Sequence, residues 1–311
     1  MLEAVFSSSS TGFRIRAAQG RAADAFASFA ERAAATLFFT LFPADCRICD
    51  SPLIKVSRLP VCDRCLLTVR PLQGSYCSVC GERLHRPVFL EPAETDIAET
   101  RCLLCQRADP PFERAVAYGS YDGALRDLIH VLKFEQVRPA AAVLGRMVAD
   151  AIVQLDPAMP VGILAVVPVP LHTRRQSQRG FNQAEVIARS ALKHLSRPKR
   201  FELCSGTLLR RLETGSQIGL TRHQRRENLR GAFAVSDPTR ILNRDILLID
   251  DVLTTGTTAS ECARVLLRAG AARVWVATVA RTLKLSGEIS LSEVLSEFPA
   301  VDSQMQTENQ N

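Results

Sequence analysis

The sequence predicts an α/β fold, a doubly wound parallel sheet, preceded by a small cysteine-rich module. Short apolar runs at 162–167, 246–249 and 273–279 alternate with helical stripes. Each run is too apolar to lie half-exposed, as expected of parallel strands covered by helices on both faces. Eight of the ten cysteines fall between residues 45 and 111, which predicts the module. Ligands of such sheets bind at the carboxyl ends of the strands, so the segments that follow these runs are the first candidates for a site.

Composition divides the chain into four parts. They are a Ser/Ala/Arg-rich leader (1–44), the cysteine-rich module (45–111), the α/β domain (112–282) and an acidic tail (283–311) predicted to be disordered. The formal charge is +7, and residues 1–284 carry +12 because residues 285–311 hold five acids and no Lys or Arg. A basic body favours phosphate-bearing partners, either a phosphorylated small molecule or nucleic acid, with a merely solvated basic surface as the alternative.

The chain start lacks the basic segment of a secretory signal, and no apolar stretch is long enough to span a bilayer. We therefore expect a cytoplasmic protein without a transmembrane segment. Residues 22–41 are compatible with an amphipathic helix, which packs on its own domain or a partner more often than on a membrane surface. Without export, ten cysteines indicate metal ligands or reduced thiols rather than disulfides.

Several helices are readable from their apolar period and their end signals. The predicted features are a stripe from Leu125 to Leu132 behind an Asp122 N-cap, a second stripe from Leu144 to Leu155, a helix at 182–195 with Asn182 and Glu185 in capping-box positions, and a helix at 257–268 stopped by Gly270.

The most informative segment joins the second strand run to the last of these helices, from Ile246 to Thr258. Asp250 and Asp251 end the strand, and a hydroxyl-rich turn of Thr254, Thr255, Gly256, Thr257 and Thr258 opens the helix. Backbone N–H groups and hydroxyls at a helix N-terminus suit a monophosphate, and Gly256 lets the backbone come close. The two acids would repel that phosphate and are better placed to accept hydrogen bonds from neighbouring sugar hydroxyls. The alternative is a capped helix after a core strand.

This segment resembles the fingerprint of type I phosphoribosyltransferases that binds phosphoribosyl pyrophosphate (PRPP). The resemblance implies that Asp250 and Asp251, the candidate catalytic residues, hold the ribose hydroxyls and that Thr254 to Thr258 bind the 5′-phosphate. It also implies that Mg²⁺ enters with the pyrophosphate of the substrate, in keeping with the few protein ligands magnesium usually takes.

A second set of motifs resembles the ComF family more narrowly. These motifs are Val-Pro-Val-Pro at 167–170, Arg-Gly-Phe-Asn-Gln-Ala at 179–184, Leu-Lys-Phe at 132–134, and Gln217, Arg226, Asn228 and Phe233. The resemblance covers residues 46–281 and implies a type I phosphoribosyltransferase-like domain behind a double zinc ribbon, with an association with DNA uptake in natural transformation.

Two arginine-rich segments accompany these motifs. The strand that ends in prolines predicts a loop, and Arg174, Arg175 and Arg179 suit that loop to pyrophosphate. The family position implies the same role, although any one of these arginines alone reads as a solvated surface charge. Residues 217–230 are predicted to form either a mobile hood that closes over PRPP or a basic helix facing water.

Four Cys-x-x-Cys pairs predict two closed, structural zinc sites, because each pair directs two thiolates at one ion. The eight ligands are Cys46, Cys49, Cys62, Cys65, Cys77, Cys80, Cys102 and Cys105. Sequential pairing agrees with the double zinc ribbon of ComF-like proteins, and interleaved pairing is physically open. The long gap between Cys80 and Cys102, which contains His85, departs from the even spacing of the other pairs.

Three functions follow from these features. The first is transfer of a phosphoribosyl group from PRPP to an unidentified acceptor, and the second is a non-catalytic accessory of the competence machinery that binds single-stranded DNA and senses PRPP. A glutamine amidotransferase would need a glutaminase domain, which the sequence does not contain. Sparse aromatics, with one Trp and three Tyr, leave phosphate contacts rather than base stacking as the source of any DNA affinity.

Overall fold

The computed structural model describes residues 44–53, 57–84, 100–107, 109–212 and 222–283. The predicted helix at 22–41, His85 and almost all of the acidic tail lie outside the described residues. Contacts divide the chain into two compact units, one up to Leu66 and one from Leu67 on. The limits of the four predicted parts stay predictions.

The secondary-structure elements follow in chain order. They are α1 (Asp63–Thr68), α2 (Leu103–Arg107), β1 (Arg114–Ser120), α3 (Gly123–Lys133), α4 (Ala140–Leu155), β2 (Leu164–Pro168), α5 (Thr173–Arg179), α6 (Gln183–Leu192), β3 (Phe201–Leu203), β4 (Leu208–Arg210), α7 (Arg222–Leu229), β5 (Phe233–Val235), β6 (Asp245–Leu253), α8 (Thr257–Arg268) and β7 (Arg273–Arg281). Across the described residues, no helix is both long and apolar enough to cross a membrane.

The core of the second unit is a five-stranded parallel sheet in the order β1-β7-β6-β2-β3. Every residue of β2 is buried, and β7 is buried from Val274 to Arg281, as the apolar runs predicted for strands covered on both faces. The predicted α/β class with a doubly wound parallel sheet is confirmed. A separate antiparallel pair, β4 and β5, comes from runs too short for the sequence pattern to predict.

The chain leaves β2 toward β3 at one edge and leaves β6 toward β7 on the other side. The neighbouring strands β2 and β6 therefore form the point where the direction of winding reverses. In open α/β sheets a ligand crevice lies outside the carboxyl ends of such a strand pair.

Helix ends agree with their predicted signals, with two exceptions. The side-chain oxygen of Asn182 accepts a hydrogen bond from the Ala184 N–H at 3.0 Å, and α8 ends just before Gly270, whose φ is +99°. Asn182 and Glu185 stand in the predicted capping-box positions, but the described contact of the Glu185 carboxylate is with Arg189 at 2.7 Å. Asp122 stands at the N-cap of α3 but makes no side-chain cap, since it accepts from the Ser120 hydroxyl instead.

Candidate functional site

A cleft of 690 Å³ opens at the carboxyl ends of β2 and β6. Its lining includes Asp250, Asp251, Thr254 and Thr258 from the predicted phosphate loop. It also includes the cations Lys133, Arg175, Arg179 and Arg210. The structure thus brings the two acids, the turn and two of the three predicted arginines to one cavity.

The two acids differ in environment. The Asp251 side chain is 6% exposed, and its Oδ2 lies 2.6 Å from the Nζ of Lys133. Asp250 is half-buried, and its Oδ1 accepts a hydrogen bond from the Asp251 N–H at 2.8 Å. Burial raises the pKa of Asp250 well above its usual range, and the neighbouring Asp251 carboxylate raises it further. One acid is therefore paired with a cation, while the other has a raised pKa.

The turn between β6 and α8 has the shape expected of a phosphate loop. Gly256 adopts the left-handed conformation (φ +76°) at the N-cap of α8, where a side chain would strain the backbone. The hydroxyls of Thr255 and Thr257 lie 2.7 Å apart across the turn, while Thr254 and Thr258 face the cleft. Because α8 has twelve residues, its N-terminus also contributes a dipole that favours an anion.

The arginine segment behind the prolines is a short helix, α5, rather than the predicted loop. It has no apolar stripe, so the hydrophobic period gave no sign of it. Arg175 and Arg179 line the cleft, and Arg174 is not among the lining residues described. Burial lowers the pKa of Arg179, yet a guanidinium stays cationic at neutral pH.

The motif from Arg179 to Ala184 holds Arg179 in place. Gly180 ends α5 with φ +74°, and Arg179 donates to the Gln183 side-chain oxygen at 2.6 Å. Asn182 donates to the Val169 carbonyl at 3.0 Å and so attaches the start of α6 to the end of β2. Arg138 donates to the Gly180 carbonyl at 3.0 Å, which fixes the turn from the other side.

Two cleft cations were missed as site residues. Lys133 was visible only as part of the Leu-Lys-Phe motif, and no sequence signal distinguished Arg210. Arg210 ends β4, and its guanidinium lies 5.5 Å from the centre of the Phe233 ring on β5. Burial lowers the pKa of Arg210, and the charge of Arg175 lowers it further.

The predicted hood falls partly outside the described residues, which omit 213–221. Its second part is a helix, α7, between the strands β4 and β5. The hood and the solvent-facing helix both stay predictions.

The eight predicted cysteine ligands form two groups in sequential order. Cys46, Cys49, Cys62 and Cys65 make the first group, and Cys77, Cys80, Cys102 and Cys105 make the second, with the sulfurs of each group within 4.8 Å of one another. The interleaved alternative is not observed. None of the eight forms a disulfide in the part of the chain that the structure describes.

Sulfur spacing tests whether a metal fits these groups. A tetrahedron with Zn–S bonds of about 2.3 Å separates its sulfurs by about 3.8 Å. The distances are 3.9 Å for Cys46 and Cys65, 3.7 Å for Cys49 and Cys62, and 3.6 Å for Cys80 and Cys102. The Ser51 side chain donates to Cys49 and lowers its pKa to about 6, which favours the thiolate that a metal needs. Both groups fit a four-thiolate ion.

The two groups repeat one local design. A hairpin carries the first pair of each group, with a bridge between Asp45 and Pro52 in one and between Tyr76 and Arg83 in the other. The second pair of each group lies at a short helix, α1 or α2. The second group therefore has the same local form as the first despite the long gap before Cys102.

The second group packs into the core of the α/β unit. The Val79 carbonyl accepts a backbone hydrogen bond from the Ala115 N–H of β1 at 2.7 Å. Gly81 has φ +70°, and a Cβ at this position would lie only 3.2 Å from the Ala115 carbonyl oxygen. Arg281 at the end of β7 is 3% exposed. Its guanidinium lies 2.9 Å from Glu82 and 3.8 Å from the Cys80 sulfur. The second group is thus joined to the sheet through contacts with β1 and β7.

Comparison with known proteins agrees with these features. The chain is 32% identical over 245 residues to the DNA utilization protein YhgH of Salmonella typhi, covering 78% of this chain and 98% of that protein. It is 28% identical over 233 residues to competence protein F of Haemophilus influenzae, covering 73% and 93%. No family model matches the sequence. With its α/β domain of phosphoribosyltransferase type and its two four-cysteine groups, the chain belongs to the ComF family.

A solved hypoxanthine phosphoribosyltransferase from Staphylococcus aureus is similar at 14% identity and a TM-score of 0.30, over 45% of this chain and 64% of that one. The phosphoribosyltransferase-like class rests on the parallel sheet, its reversal point and the loop behind β6.

Proposed function

We propose that this chain binds Mg²⁺-PRPP in the cleft and transfers its phosphoribosyl group to an acceptor, as a ComF-type protein associated with DNA uptake. The observation that carries the proposal is the convergence of two acids, a phosphate turn and four cations in one cavity at the reversal point of the sheet.

Each group has a chemical task in this proposal. Thr254 to Thr258 bind the 5′-phosphate through the turn and the N-terminus of α8, and Asp250 and Asp251 bind the ribose hydroxyls. Arg175, Arg179 and Arg210 bind the pyrophosphate and stabilise the charge it gains as it leaves the ribose C1. Mg²⁺ would add further charge neutralisation on the pyrophosphate oxygens.

Calorimetry with Mg-PRPP tests the assignment. Replacing both acids by the amides, Asp250→Asn with Asp251→Asn, keeps the side-chain volume and removes the charges. We expect binding by the wild type and a loss of affinity of about tenfold or more in the folded double variant, because hydrogen bonds to charged acceptors are lost. Unchanged affinity in that variant would remove the two acids from the site.

We propose Zn²⁺ as the ion of both cysteine groups, with a structural role, since four thiolates leave no open position for a substrate. Metal analysis of the purified protein should find about two zinc ions per chain. One ion would mean that the group with the long gap does not close, and a red-brown chromophore would indicate an iron–sulfur cluster. Cysteine groups of this kind are typical of reducing compartments, so we also propose a cytoplasmic location.

The association with DNA rests on the names of the relatives and on the +12 charge of residues 1–284. The alternative function is a non-catalytic accessory of the competence machinery that binds single-stranded DNA and senses PRPP. In both cases DNA contacts would be mainly to phosphates. Fluorescence anisotropy should show affinity that falls roughly a hundredfold or more between low and physiological salt. Salt-insensitive binding would contradict the phosphate contacts.

Release of pyrophosphate from Mg-PRPP separates the two functions. An enzyme releases pyrophosphate when its acceptor is present, and single-stranded DNA is the acceptor to test first. A PRPP-sensing accessory binds Mg-PRPP without releasing pyrophosphate, whether or not single-stranded DNA is present.

A further inference from the structure

Lys133 is the last residue of α3 and forms an ion pair inside the cleft. Its Nζ lies 2.6 Å from the Oδ2 of Asp251, with the two side chains 16% and 6% exposed. Both residues line the cavity. The contact therefore occupies one oxygen of an acid that the proposed function assigns to the ribose.

The surroundings of the pair carry surplus positive charge. Arg175, Arg179 and Arg210 line the same cavity as Lys133, and its acids are Asp250 and Asp251. The cavity lining therefore has four cationic side chains and two carboxyl groups. The cleft thus holds more cations than carboxylates, and a polyanion is needed to balance them.

The ion pair affects two classes of ligand differently. A sugar that carries only a 5-phosphate must share Asp251 with Lys133. It has no anionic group at the ribose C1 that could accept a hydrogen bond from the Lys133 ammonium. A sugar with a 1-pyrophosphate brings a second anion toward the cations of the cleft. An ammonium has three N–H donors, so it can keep Asp251 and also donate to that anion.

We propose that Lys133 is a specificity-determining residue that links Asp251 to the pyrophosphate of the ligand, so that the cleft selects pyrophosphorylated sugars over plain sugar phosphates. This inference rests on the proposed function of the same cleft. It adds selection against sugars that lack the pyrophosphate, which binding of PRPP does not by itself require.

The test compares three probes, Mg-PRPP, ribose 5-phosphate and Mg-pyrophosphate, by calorimetry. Lys133→Gln keeps a donor toward Asp251 but removes the charge, and Lys133→Arg keeps the charge. Lys193→Gln, at an exposed position behind α6 outside the cleft lining, is the control for a lost lysine charge. The thermal unfolding midpoint shows that each variant is folded.

In Lys133→Gln we expect Mg-PRPP and Mg-pyrophosphate to bind about tenfold to a hundredfold more weakly, because a charge-assisted hydrogen bond is lost. The affinity for ribose 5-phosphate should stay within about twofold of the wild-type value. This ligand has no pyrophosphate, so the substitution removes no contact that it makes with Lys133. Lys133→Arg should lie between the wild type and Lys133→Gln, and the control should match the wild type.

Equal losses for Mg-PRPP and ribose 5-phosphate would overturn the inference, because Lys133 would then act only by holding Asp251. Lys133→Arg behaving as Lys133→Gln would overturn it too, since charge would not be the cause. Wild-type protein that binds none of the three probes would overturn the proposed function itself, and the inference with it.

Discussion

Replacing Asp250 by Asn should stabilise the protein while it weakens the site. The amide keeps the oxygen that accepts from the Asp251 N–H at 2.8 Å, and it removes a half-buried carboxyl charge beside the Asp251 carboxylate. Removal of such functional strain is worth about 1 kcal/mol. For a domain of this size that raises the unfolding midpoint by about 2–4 °C.

The gain should depend on pH with a defined sign. The folded-state pKa of Asp250 is raised above its unfolded value, so the wild type loses stability as pH rises through that folded pKa. Below the unfolded pKa, Asp250 is protonated in both states and resembles the amide. The difference between variant and wild type should therefore be present at pH 8 and shrink toward acid pH.

Differential scanning fluorimetry across pH measures this difference. The matched control is Asp245→Asn at the start of the same strand, where the acid pairs with Arg273 at 2.9 Å and its loss should leave the midpoint unchanged or lower. An Asp250→Asn variant that melts below the wild type at pH 8, or a gain that does not change with pH, would refute the reasoning.

Three further predictions concern the other parts of the site. Arg210→Met should weaken Mg-PRPP binding about tenfold or more by calorimetry, whereas Arg174→Met, outside the described lining, should have less effect; equal effects would contradict the role of Arg210. Arg281→Met should speed zinc release to a chelator from one of two ions, since the guanidinium lies 3.8 Å from the Cys80 sulfur; unchanged release would exclude that contact as a support. Gly81→Ala should destabilise the protein by about 1–3 kcal/mol in chemical denaturation because of its positive φ. Gly74→Ala is its control, because Gly74 also has a positive φ but a Cβ there meets nothing within 4 Å, so this variant has backbone strain without a steric clash.

Local patterns carried much of the prediction. The segment predicted to bind phosphate could be located because strand, acids, turn and helix follow one another directly from Ile246 to Thr258. The cysteine groups were readable because each ligand pair is local and its spacing sets the geometry. The strands β2, β6 and β7 were readable because buried parallel strands are continuously apolar.

Other parts of the site depend on contacts between segments far apart in sequence. Lys133 reaches Asp251 from the end of α3, and Arg210 enters from a three-residue strand whose pairing with β5 has no periodic signal. The helix α5 is polar along its length, so it has no apolar period, and the sequence pattern predicted a loop after β2 instead. Glu185 had the sequence position of a capping box, but Arg189 one turn later competes for the same carboxylate.

A crystal structure of the protein with Mg-PRPP tests the central claim most directly. We predict the 5′-phosphate at the turn from Thr254 to Thr258, the ribose hydroxyls at Asp250 and Asp251, and the pyrophosphate beside Arg175, Arg179 and Arg210. PRPP bound outside this cleft, or bound with its pyrophosphate in the threonine turn, would contradict it.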